Sequence, residues 1–323
     1  MCTAISYKNG SHYFGRNLDL YYSYNEAVTV TPRNYPLIFR KMPSVHRHFA
    51  MIGMATVVGG YPLYYEATNE AGLSVAGLEF RGNAVYLPYR EECDNITPFE
   101  FIPWILCQCG TVSEAKEVLS KVNLLDESFS EEFPLSPLHF MISDRYSSVV
   151  AEPMADGIKI YDDPVGVLTN NPPFDYHMLN LQNYMGVTSL PPENRFSDRL
   201  EMDPFSLGMG SFGLPGDMSS PSRFVRAAFV LHNSVAEECE EESVSRFFHV
   251  LSSVAQPKGC TSVNGKYEYT MYSSCCNTDT GVYYYTTCNN SGITAVHMKR
   301  CDPFGEKVVT FPLLKRFRVT WQN

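Results

Sequence analysis

The 323-residue chain lacks any long apolar stretch free of charged residues, and no basic segment precedes an apolar one at its N-terminus. A transmembrane helix needs about 20 consecutive, mainly apolar residues, and a secretion signal begins with such a basic segment. We therefore expect a soluble, cytoplasmic protein that is not exported and has no membrane partner.

Positive charge is also scarce. The chain has 25 Lys and Arg residues against 35 Asp and Glu residues, which gives a formal net charge of −10. Binding to a phosphate backbone needs clustered basic side chains, and the only such cluster is Lys315, Arg316 and Arg318 near the C-terminus. We expect this cluster to be a solvated tail, and we expect no nucleic-acid partner.

Sequence spacings typical of metal sites and phosphate loops are missing as well. Cys107 with Cys109, and Cys275 with Cys276, lack the paired Cys/His spacings of a zinc site. The glycine-rich segment 208–216 lacks the Lys-Ser/Thr ending of a phosphate-binding loop. Without a secretion signal, the ten cysteines are interpreted as reduced thiols. The sequence therefore predicts no metal and no cofactor.

What the chain does have is a cysteine directly after its initiator methionine. Because Cys2 is small, Met1 can be removed, and Cys2 would then carry a free α-amine next to its thiol. A thiol reacts as its thiolate, and an α-amine with an ordinary pKa of about 7.7–8.0 can accept the thiol proton. One residue could therefore supply both nucleophile and base, although many cysteines are only small buried hydrophobes.

A β-hairpin is predicted immediately after Cys2, with its turn around Asn9 and Gly10. A two-residue Asn9-Gly10 loop would place Cys2 opposite Asn17. A three-residue loop with Gly10 left-handed would place Cys2 opposite Arg16 instead. We favour the second register because it brings a guanidinium next to the thiol.

The first nineteen residues, with Met-Cys-Thr-Ala at the start and Tyr-Phe-Gly-Arg-Asn-Leu-Asp at 13–19, resemble the choloylglycine hydrolases. This family comprises bile salt hydrolases and penicillin V acylases, which are N-terminal nucleophile hydrolases. The resemblance continues over nearly the whole chain, in segments 61–65, 69–73, 135–139, 167–172, 213–217, 267–270 and 283–285. It implies one domain over residues 1–323, with Met1 removed, folded as a four-layer αββα sandwich. The distribution of strands and helices alone predicts only an α+β protein.

The resemblance also implies the catalytic residues. Cys2 would be the nucleophile, Arg16 would stabilise its thiolate, and Asp19 would orient the α-amine. Asn170, rather than Asn171, would hold the oxyanion together with the main-chain N–H near Glu79. Arg223 would be a second active-site arginine. The catalytic set is therefore Cys2, Arg16, Asp19, Asn170 and Arg223, with the backbone of Glu79.

Position 79 departs from the family pattern. Bile salt hydrolases carry Asn and penicillin V acylases carry Tyr where this chain has Glu79. A carboxylate directed at a thiolate or an oxyanion would oppose catalysis unless it is protonated, paired or turned away. Three further positions also depart from that pattern: Tyr21 replaces a common acidic residue, Phe140 replaces a common Trp, and Cys288 replaces a common Tyr.

Aromatic and apolar residues in three segments are expected to form the wall of a pocket for a large apolar ligand. These candidate substrate-binding residues are Leu20, Tyr24, Tyr61, Leu63, Tyr65, Phe129 and Leu135. Residues 203–218 are rich in Gly, Pro, Met and Phe and are expected to form a surface loop that contacts another subunit. The resemblance implies a homotetramer.

Three functions stay open at this point. The first is hydrolysis of the glycine or taurine amide of a conjugated bile acid, which would be the small-molecule substrate. The second is hydrolysis of penicillin V or another N-acylated small molecule. The third is a non-catalytic ligand-binding relative in which Glu79 has disabled the chemistry. A papain-like Cys–His enzyme is not indicated, because its local cysteine signature is absent and none of the eight histidines is required.

Capping boxes predict the helices of the middle region. Thr97 with Glu100 and Thr111 with Glu114 each begin an amphipathic segment, and both helices are expected to be scaffold. Ser220-Pro221 predicts the start of the helix that carries Arg223. A cation in the first turn of a helix opposes the helix dipole, which suggests a role for Arg223 other than stability.

Overall fold

Strands predominate in the computed structural model, which describes residues 1–323. The strands are β1 (Cys2–Asn9), β2 (Ser11–Leu20), β3 (Ala27–Thr31), β4 (Met51–Val58), β5 (Tyr61–Asn69), β6 (Ser74–Glu79), β7 (Asp94–Ile96), β8 (Val122–Leu124), β9 (Leu138–Ser143), β10 (Ser148–Met154), β11 (Gly157–Asp162), β12 (Val167–Leu168), β13 (Thr261–Val263), β14 (Lys266–Asn277), β15 (Val282–Thr287), β16 (Asn290–His297) and β17 (Val309–Pro312). The α-helices are α1 (Phe101–Gln108), α2 (Val112–Leu119), α3 (Phe174–Leu181), α4 (Ser220–Asn233) and α5 (Glu240–Ser252). Short 3₁₀ helices cover Pro98–Glu100, Gln182–Tyr184, Met209–Ser211 and Met298–Arg300.

Two antiparallel sheets form the centre of the molecule. The first has seven strands in the order β12-β1-β2-β14-β15-β16, with β13 paired to β14. The second has eight strands in the order β11-β10-β9-β6-β5-β4-β3-β17. A small parallel pair, β7 with β8, lies outside both sheets and was not predicted from the sequence.

The helices cover the outer faces of the two sheets. Helices α1 and α2 contact the eight-stranded sheet, whereas α4 and α5 contact the seven-stranded sheet, and β1 and β2 contact β6 between the sheets. One apolar core lies between the sheets and under α4 and α5, and a second lies between the eight-stranded sheet and α1 and α2. This arrangement confirms the predicted α+β, four-layer αββα sandwich.

The N-terminal hairpin turns more tightly than predicted. Gly10, with φ of +66°, occupies the turn alone, and Asn9 pairs directly with Ser11. Cys2 therefore lies opposite Leu18, and Arg16 lies opposite Ala4, so the predicted pairing of Cys2 with Arg16 is wrong by two residues.

The error is an even number of residues, and side chains alternate between the two faces of a strand. Arg16 therefore still shares a face with Cys2, as its diagonal neighbour across the hairpin. Asn17 lies on the opposite face, where its Nδ2 donates a hydrogen bond to the carbonyl of Leu251 in α5 at 2.9 Å. The predicted face that Arg16 shares with Cys2 is therefore correct, whereas the predicted residue pair is wrong.

The helix starts follow the sequence closely. The capping box at Thr111 forms, and the Thr111 hydroxyl accepts a hydrogen bond from the Glu114 N–H at 3.2 Å. At Thr97 only the Glu100 half has a hydrogen bond, since the Glu100 carboxylate accepts from the Thr97 N–H at 2.8 Å while the Thr97 hydroxyl is buried without a partner. The C-terminal basic cluster is exposed, and all ten cysteines are free thiols. No helix combines the length and the apolar character needed to cross a membrane.

Gly15 allows strands β2 and β14 to approach each other. A Cβ atom at Gly15 would lie 2.0 Å from the main-chain oxygen of Ser274, and backbone atoms cannot move aside as a flexible side chain can. We expect Gly15→Ala to lower the free energy of unfolding by about 3 kcal/mol. Gly186→Ala is the matched control because nothing lies within 4 Å of its added Cβ, and it should change stability by less than about 0.5 kcal/mol. Equal denaturant midpoints for the two variants would contradict this packing.

Candidate active site

Cys2 is the first residue of β1 and is only 4% exposed. Its main-chain N–H donates a hydrogen bond to Oδ1 of Asn170 at 2.8 Å, and its carbonyl oxygen accepts one from Nη1 of Arg223. The main chain of the candidate nucleophile is therefore held on both sides by residues from elements distant in sequence.

Arg223 is fully buried in the first turn of α4. Besides the Cys2 carbonyl, it donates to the hydroxyl of Thr3 at 2.6 Å and to Oδ1 of Asn170 at 2.7 Å. Burial lowers the pKa of Arg223, and the nearby charges of Asp19, Cys2 and Glu268 act in the opposite direction. The guanidinium thus connects the first residues of β1 to Asn170, which accounts for a cation at an unfavourable end of a helix.

Asn170 follows β12 and lies at the centre of this arrangement. Its Oδ1 accepts hydrogen bonds from Cys2 and Arg223, and its Nδ2 donates one to the main-chain oxygen of Glu79 at 2.8 Å. The Ser220 hydroxyl accepts a hydrogen bond from the Asn170 N–H at 2.8 Å. An amide nitrogen carries two hydrogens, so Nδ2 has one left to donate.

Two buried histidines fix the main chain around Asn170. His177 Nε2 donates to the Asn170 carbonyl at 2.8 Å, and His139 Nε2 donates to the Thr169 carbonyl at 3.0 Å. Burial lowers the pKa of His177 to about 4, so this ring is neutral at neutral pH. Nδ1 of His139 lies 3.2 Å from a carboxylate oxygen of the fully buried Glu152. His139 and His177 thus hold the main chain that carries Asn170, a supporting role that was not predicted from the sequence.

Arg16 is the second buried guanidinium near the thiol. Nη1 donates to the carbonyls of Tyr65, at 3.1 Å, and Gly77, while the buried Nη2 has no hydrogen-bond partner. Burial lowers the pKa of Arg16, but the charges of Cys2, Tyr272, Glu66 and Asp19 outweigh burial and raise it. The charged form is therefore stable next to Cys2, as the thiolate role requires.

Glu66 is the buried counter-ion of Arg16. Its carboxylate lies 3.9 Å from Nε of Arg16 and accepts hydrogen bonds from Tyr272 at 2.7 Å, Ser274 at 3.0 Å, and Tyr283. Burial raises the pKa of Glu66, and Arg16 and the three hydroxyls oppose that shift. The sequence offered no signal for this residue, because its partners lie in β2, β14 and β15.

Asp19 is completely buried next to the N-terminus. Its Oδ1 accepts a hydrogen bond from the Thr270 hydroxyl at 2.6 Å, whereas Oδ2 is buried without a partner. Burial raises the pKa of Asp19, and the charges of Arg223 and the N-terminal amine act against this shift. The Asp19 N–H donates to the Met1 carbonyl at 3.1 Å, which places the carboxylate close to the start of the chain.

The α-amine of Met1 lies among acidic groups. It contacts the Glu268 carboxylate, lies 3.3 Å from the Asp19 carbonyl oxygen and lies 4.0 Å from Oε2 of Glu79. Burial lowers the pKa of this amine, but the charges of Cys2, Asp19 and Glu268 outweigh burial and raise it. Glu268 was not predicted as a site residue; it comes close because β14 pairs with β2, with Thr270 opposite Asp19.

An apolar groove adjoins Arg16. It contains about 830 Å³ of space between protein atoms, including the part open to solvent, and Gly77 and Tyr65, whose carbonyls bind Arg16, lie in its wall. Five of the seven candidate substrate-binding residues line it, namely Tyr24, Leu63, Tyr65, Phe129 and Leu135.

The other two candidate substrate-binding residues lie outside this wall. Tyr61 packs behind it, with its ring 5.8 Å from that of Phe129 and 6.2 Å from that of Phe99. Leu20, the last residue of β2, is half-buried and packs against the core that contains Cys2. The structure therefore brings Cys2, Arg16, Asp19, Asn170, Arg223 and Glu79 together, and most of the predicted apolar wall lines the groove next to Arg16.

The buried pair of Arg16 and Glu66 has a surface counterpart in Arg195 and Glu193, whose charged groups lie 3.0 Å apart. We expect Glu66→Gln to lower the free energy of unfolding by about 3–5 kcal/mol, because it leaves a buried guanidinium without its counter-ion. The matched Glu193→Gln should cost less than about 1 kcal/mol. Urea unfolding of both variants measures the difference. Similar small losses would mean that Glu66 does not compensate the charge of Arg16.

Solved structures of two known enzymes resemble this fold. The C2A mutant of the conjugated bile acid hydrolase of Clostridium perfringens superposes with a TM-score of 0.92 at 34% identity, covering 100% of both chains. The penicillin V acylase of Agrobacterium tumefaciens superposes with a TM-score of 0.74 at 20% identity, covering 96% of this chain and 91% of that one, and shares the fold.

Sequence comparisons lead in the same direction. The chain is 52% identical to a bile salt hydrolase/transferase of Lactiplantibacillus plantarum over 97% of both chains. It is 35% identical to a bile salt hydrolase/transferase of Clostridium perfringens over 100% of both. Residues 2–308 match the family described as linear amide C-N hydrolases, choloylglycine hydrolase family. Since this match begins at Cys2 and covers almost all of the folded chain, the protein belongs to the choloylglycine hydrolase family.

Proposed function

We propose that this protein is a bile salt hydrolase, which cleaves the amide bond between a bile acid and glycine or taurine. The observation that carries the proposal is the position of Cys2, with its main-chain nitrogen bonded to Asn170 and its side chain on the same face as Arg16. The apolar groove next to Arg16 suits a steroid. The names of the similar proteins from L. plantarum and C. perfringens support this substrate class.

Removal of Met1 would turn the Cys2 nitrogen into the catalytic base. That nitrogen already lies 2.8 Å from Oδ1 of Asn170. The buried, unpartnered Oδ2 of Asp19 is the acceptor that we assign to the new amine, since a buried carboxylate oxygen without a partner is costly. Asp19 would thus fix the direction of the amine lone pair toward the thiol.

The proposed reaction has two steps. The Cys2 sulfur attacks the amide carbonyl carbon while the α-amine takes the thiol proton, and the same amine then gives that proton to the leaving nitrogen. This step leaves a thioester between Cys2 and the bile acid. A water molecule, deprotonated by the amine, attacks the thioester and releases the free bile acid and the thiol.

The oxyanion of each tetrahedral intermediate needs donors that are fixed in advance. We assign the second hydrogen of Asn170 Nδ2 and the main-chain N–H of Glu79, because the Asn170 side chain is already held against the Glu79 carbonyl at 2.8 Å. Arg16 stabilises the thiolate, and Arg223 fixes the relative positions of Cys2 and Asn170. This assignment uses the main chain of Glu79 and not its carboxylate.

We also propose that residues 1–323 form one domain, with Met1 removed, and that the enzyme works inside the cell as a homotetramer. The segment 203–218 supports subunit contact, because Phe205 and Phe212 are each 88% exposed and Leu207 is 97% exposed. Apolar side chains of this size on one surface loop suit an interface. The ten free thiols fit a reducing compartment.

The decisive experiment compares glycocholate, taurocholate and penicillin V as substrates for the wild type and for Cys2→Ala. We expect hydrolysis of the bile salts, and a loss of at least about 1,000-fold in kcat without the nucleophile, while the fold persists. Cys260→Ala, which removes an exposed thiol, is the control and should keep full activity.

The intact mass of the active protein should show the loss of one methionine. Retention of Met1 in fully active material would leave no free α-amine at Cys2 and would refute the mechanism. Faster turnover of penicillin V than of either bile salt would favour an acylase instead. A protein that hydrolyses none of the three substrates would be a binding relative.

His177 offers a separate test of the oxyanion assignment. His177→Phe keeps an aromatic ring against Phe224, from which the imidazole lies 4.8 Å, but loses the hydrogen bond to the Asn170 carbonyl. Because small misplacements of catalytic groups are costly, we expect kcat to fall about 10- to 100-fold with KM changed less than about threefold. His177→Gln retains an N–H donor and should recover much of the rate.

The matched control for His177 is His232→Gln, since His232 bonds the Val165 carbonyl at 2.9 Å from an exposed position. It should leave kcat unchanged. Equal losses in the Phe and Gln variants of His177 would show that the hydrogen bond to Asn170 is not what matters.

A further inference from the structure

The main chain and the side chain of Glu79 make different contacts. The carbonyl accepts the hydrogen bond from Asn170, whereas the side chain, 33% exposed, extends toward the chain terminus. Oε1 accepts a hydrogen bond from Nη2 of Arg81 at 2.6 Å, and Oε2 lies 4.0 Å from the α-amine of Met1. The carboxylate therefore faces a position one residue away from the nucleophile.

The Met1 amine marks the side of the site where the amine half of a substrate must lie. Met1 is bonded to the Cys2 nitrogen, which in the proposed mechanism gives its proton to the leaving amine. A general acid has to lie within about 3 Å of the atom that it protonates. The leaving amine and the groups attached to it therefore share the neighbourhood that the Met1 amine occupies.

That neighbourhood is predominantly acidic. Three carboxylates lie near the Met1 amine: the buried Asp19 and Glu268, and Glu79, whose Oε2 lies 4.0 Å away. The guanidiniums of Arg16 and Arg223 are fully buried and hold main-chain or side-chain oxygens of the site. Arg81, the cation that pairs with Glu79, is 70% exposed, so that solvent weakens its effect.

We propose that Glu79 sets a charge preference on the amine side of the scissile bond, so that this enzyme favours bile acid amides of neutral or cationic amines over those of anionic amines. Glycine and taurine conjugates carry their negative charge only a few bonds from the scissile nitrogen. At roughly 6 Å in a partly solvated site, one unit charge changes a rate by about three- to tenfold. The proposal rests on the proposed bile salt hydrolase function and concerns the same site.

Three cholic acid amides of equal length test the effect of charge on the amine half, because their shapes are similar. The amides of taurine, ethanolamine and ethylenediamine share a two-carbon spacer and carry a negative, neutral and positive end group. The value of kcat/KM is measured for each amide with the wild type, with Glu79→Gln and with the matched variant Arg81→Gln. The readout is the ratio between substrates within one protein, so that a general loss of activity cancels.

We expect the wild type to prefer the ethylenediamine amide, then the ethanolamine amide, then the taurine amide. Glu79→Gln should raise the ratio of taurine to ethanolamine amide about three- to tenfold, because it removes a repelling charge and frees Arg81. Arg81→Gln should lower the same ratio, because it leaves the Glu79 charge unpaired. Opposite shifts in the two variants support the proposal.

Several results would overturn it. A ratio that stays within twofold in Glu79→Gln, or that moves in the same direction in both variants, shows that the Glu79 charge does not act on the amine half. If Glu79→Gln does not fold, the wild type still decides, because the ratios must converge when salt is raised to about 1 M. Hydrolysis of all three amides with flat ratios refutes only this inference, whereas no hydrolysis of any amide refutes the proposed function as well.

Discussion

The hydrogen bond between the Cys2 N–H and Oδ1 of Asn170 determines the arrangement of the whole site. Arg223 donates to the same oxygen, and both donors lack any ability to accept, so the Asn170 amide has a single orientation that satisfies them. Its nitrogen must then face the Glu79 carbonyl, at 2.8 Å. The end of β12 and the end of β6, which are far apart in sequence, are thereby held against Cys2 on β1. The buried histidines behind Asn170 extend this constraint into the core.

Two charged groups near Cys2, the Arg16 guanidinium and the Asp19 carboxylate, each have a buried atom without a hydrogen-bond partner. Glu66 balances Arg16 from behind, and Thr270 holds one oxygen of Asp19, but Nη2 of Arg16 and Oδ2 of Asp19 are buried without partners. Buried polar atoms are nearly always paired, and a catalytic role is one of the explanations for an exception. Arg16 and Asp19 are the two residues assigned to the thiolate and to the α-amine, so these two of the ten unpaired buried side-chain atoms belong to groups expected to interact with reacting atoms.

Local sequence patterns predicted the parts of the fold that depend on neighbours in the chain. The capping-box sequences at Thr97 and Thr111 start helices where expected, and the face shared by Cys2 and Arg16 followed from strand alternation. The exact hairpin pairing failed because Gly10 can form the turn alone, a choice that apolar alternation does not constrain. Glu66 and Glu268 could not be found this way, since their positions depend on pairing between strands that are far apart in the sequence. The histidines behind Asn170, His139 on β9 and His177 on α3, were also not found. The roles of Asn170 and Arg223 were assigned through the resemblance to the family, although the position of Arg223 in a first helical turn had already suggested a role other than stability.

Position 79 shows how a chain can change its substrate preference without disturbing its catalytic geometry. The carbonyl bound by Asn170 belongs to the main chain, and its position is set by the pairing of β6 with β9, in which Glu79 lies opposite Leu138. A side chain at the end of a strand is free of the packing that restricts its buried neighbours on β6. The carboxylate of Glu79 can therefore bind Arg81 and face the amine side, while the hydrogen bond that orients Asn170 is unaffected by the identity of the side chain. Substitution here alters the electric field on the amine half of a substrate, and the groups that perform the reaction stay in place.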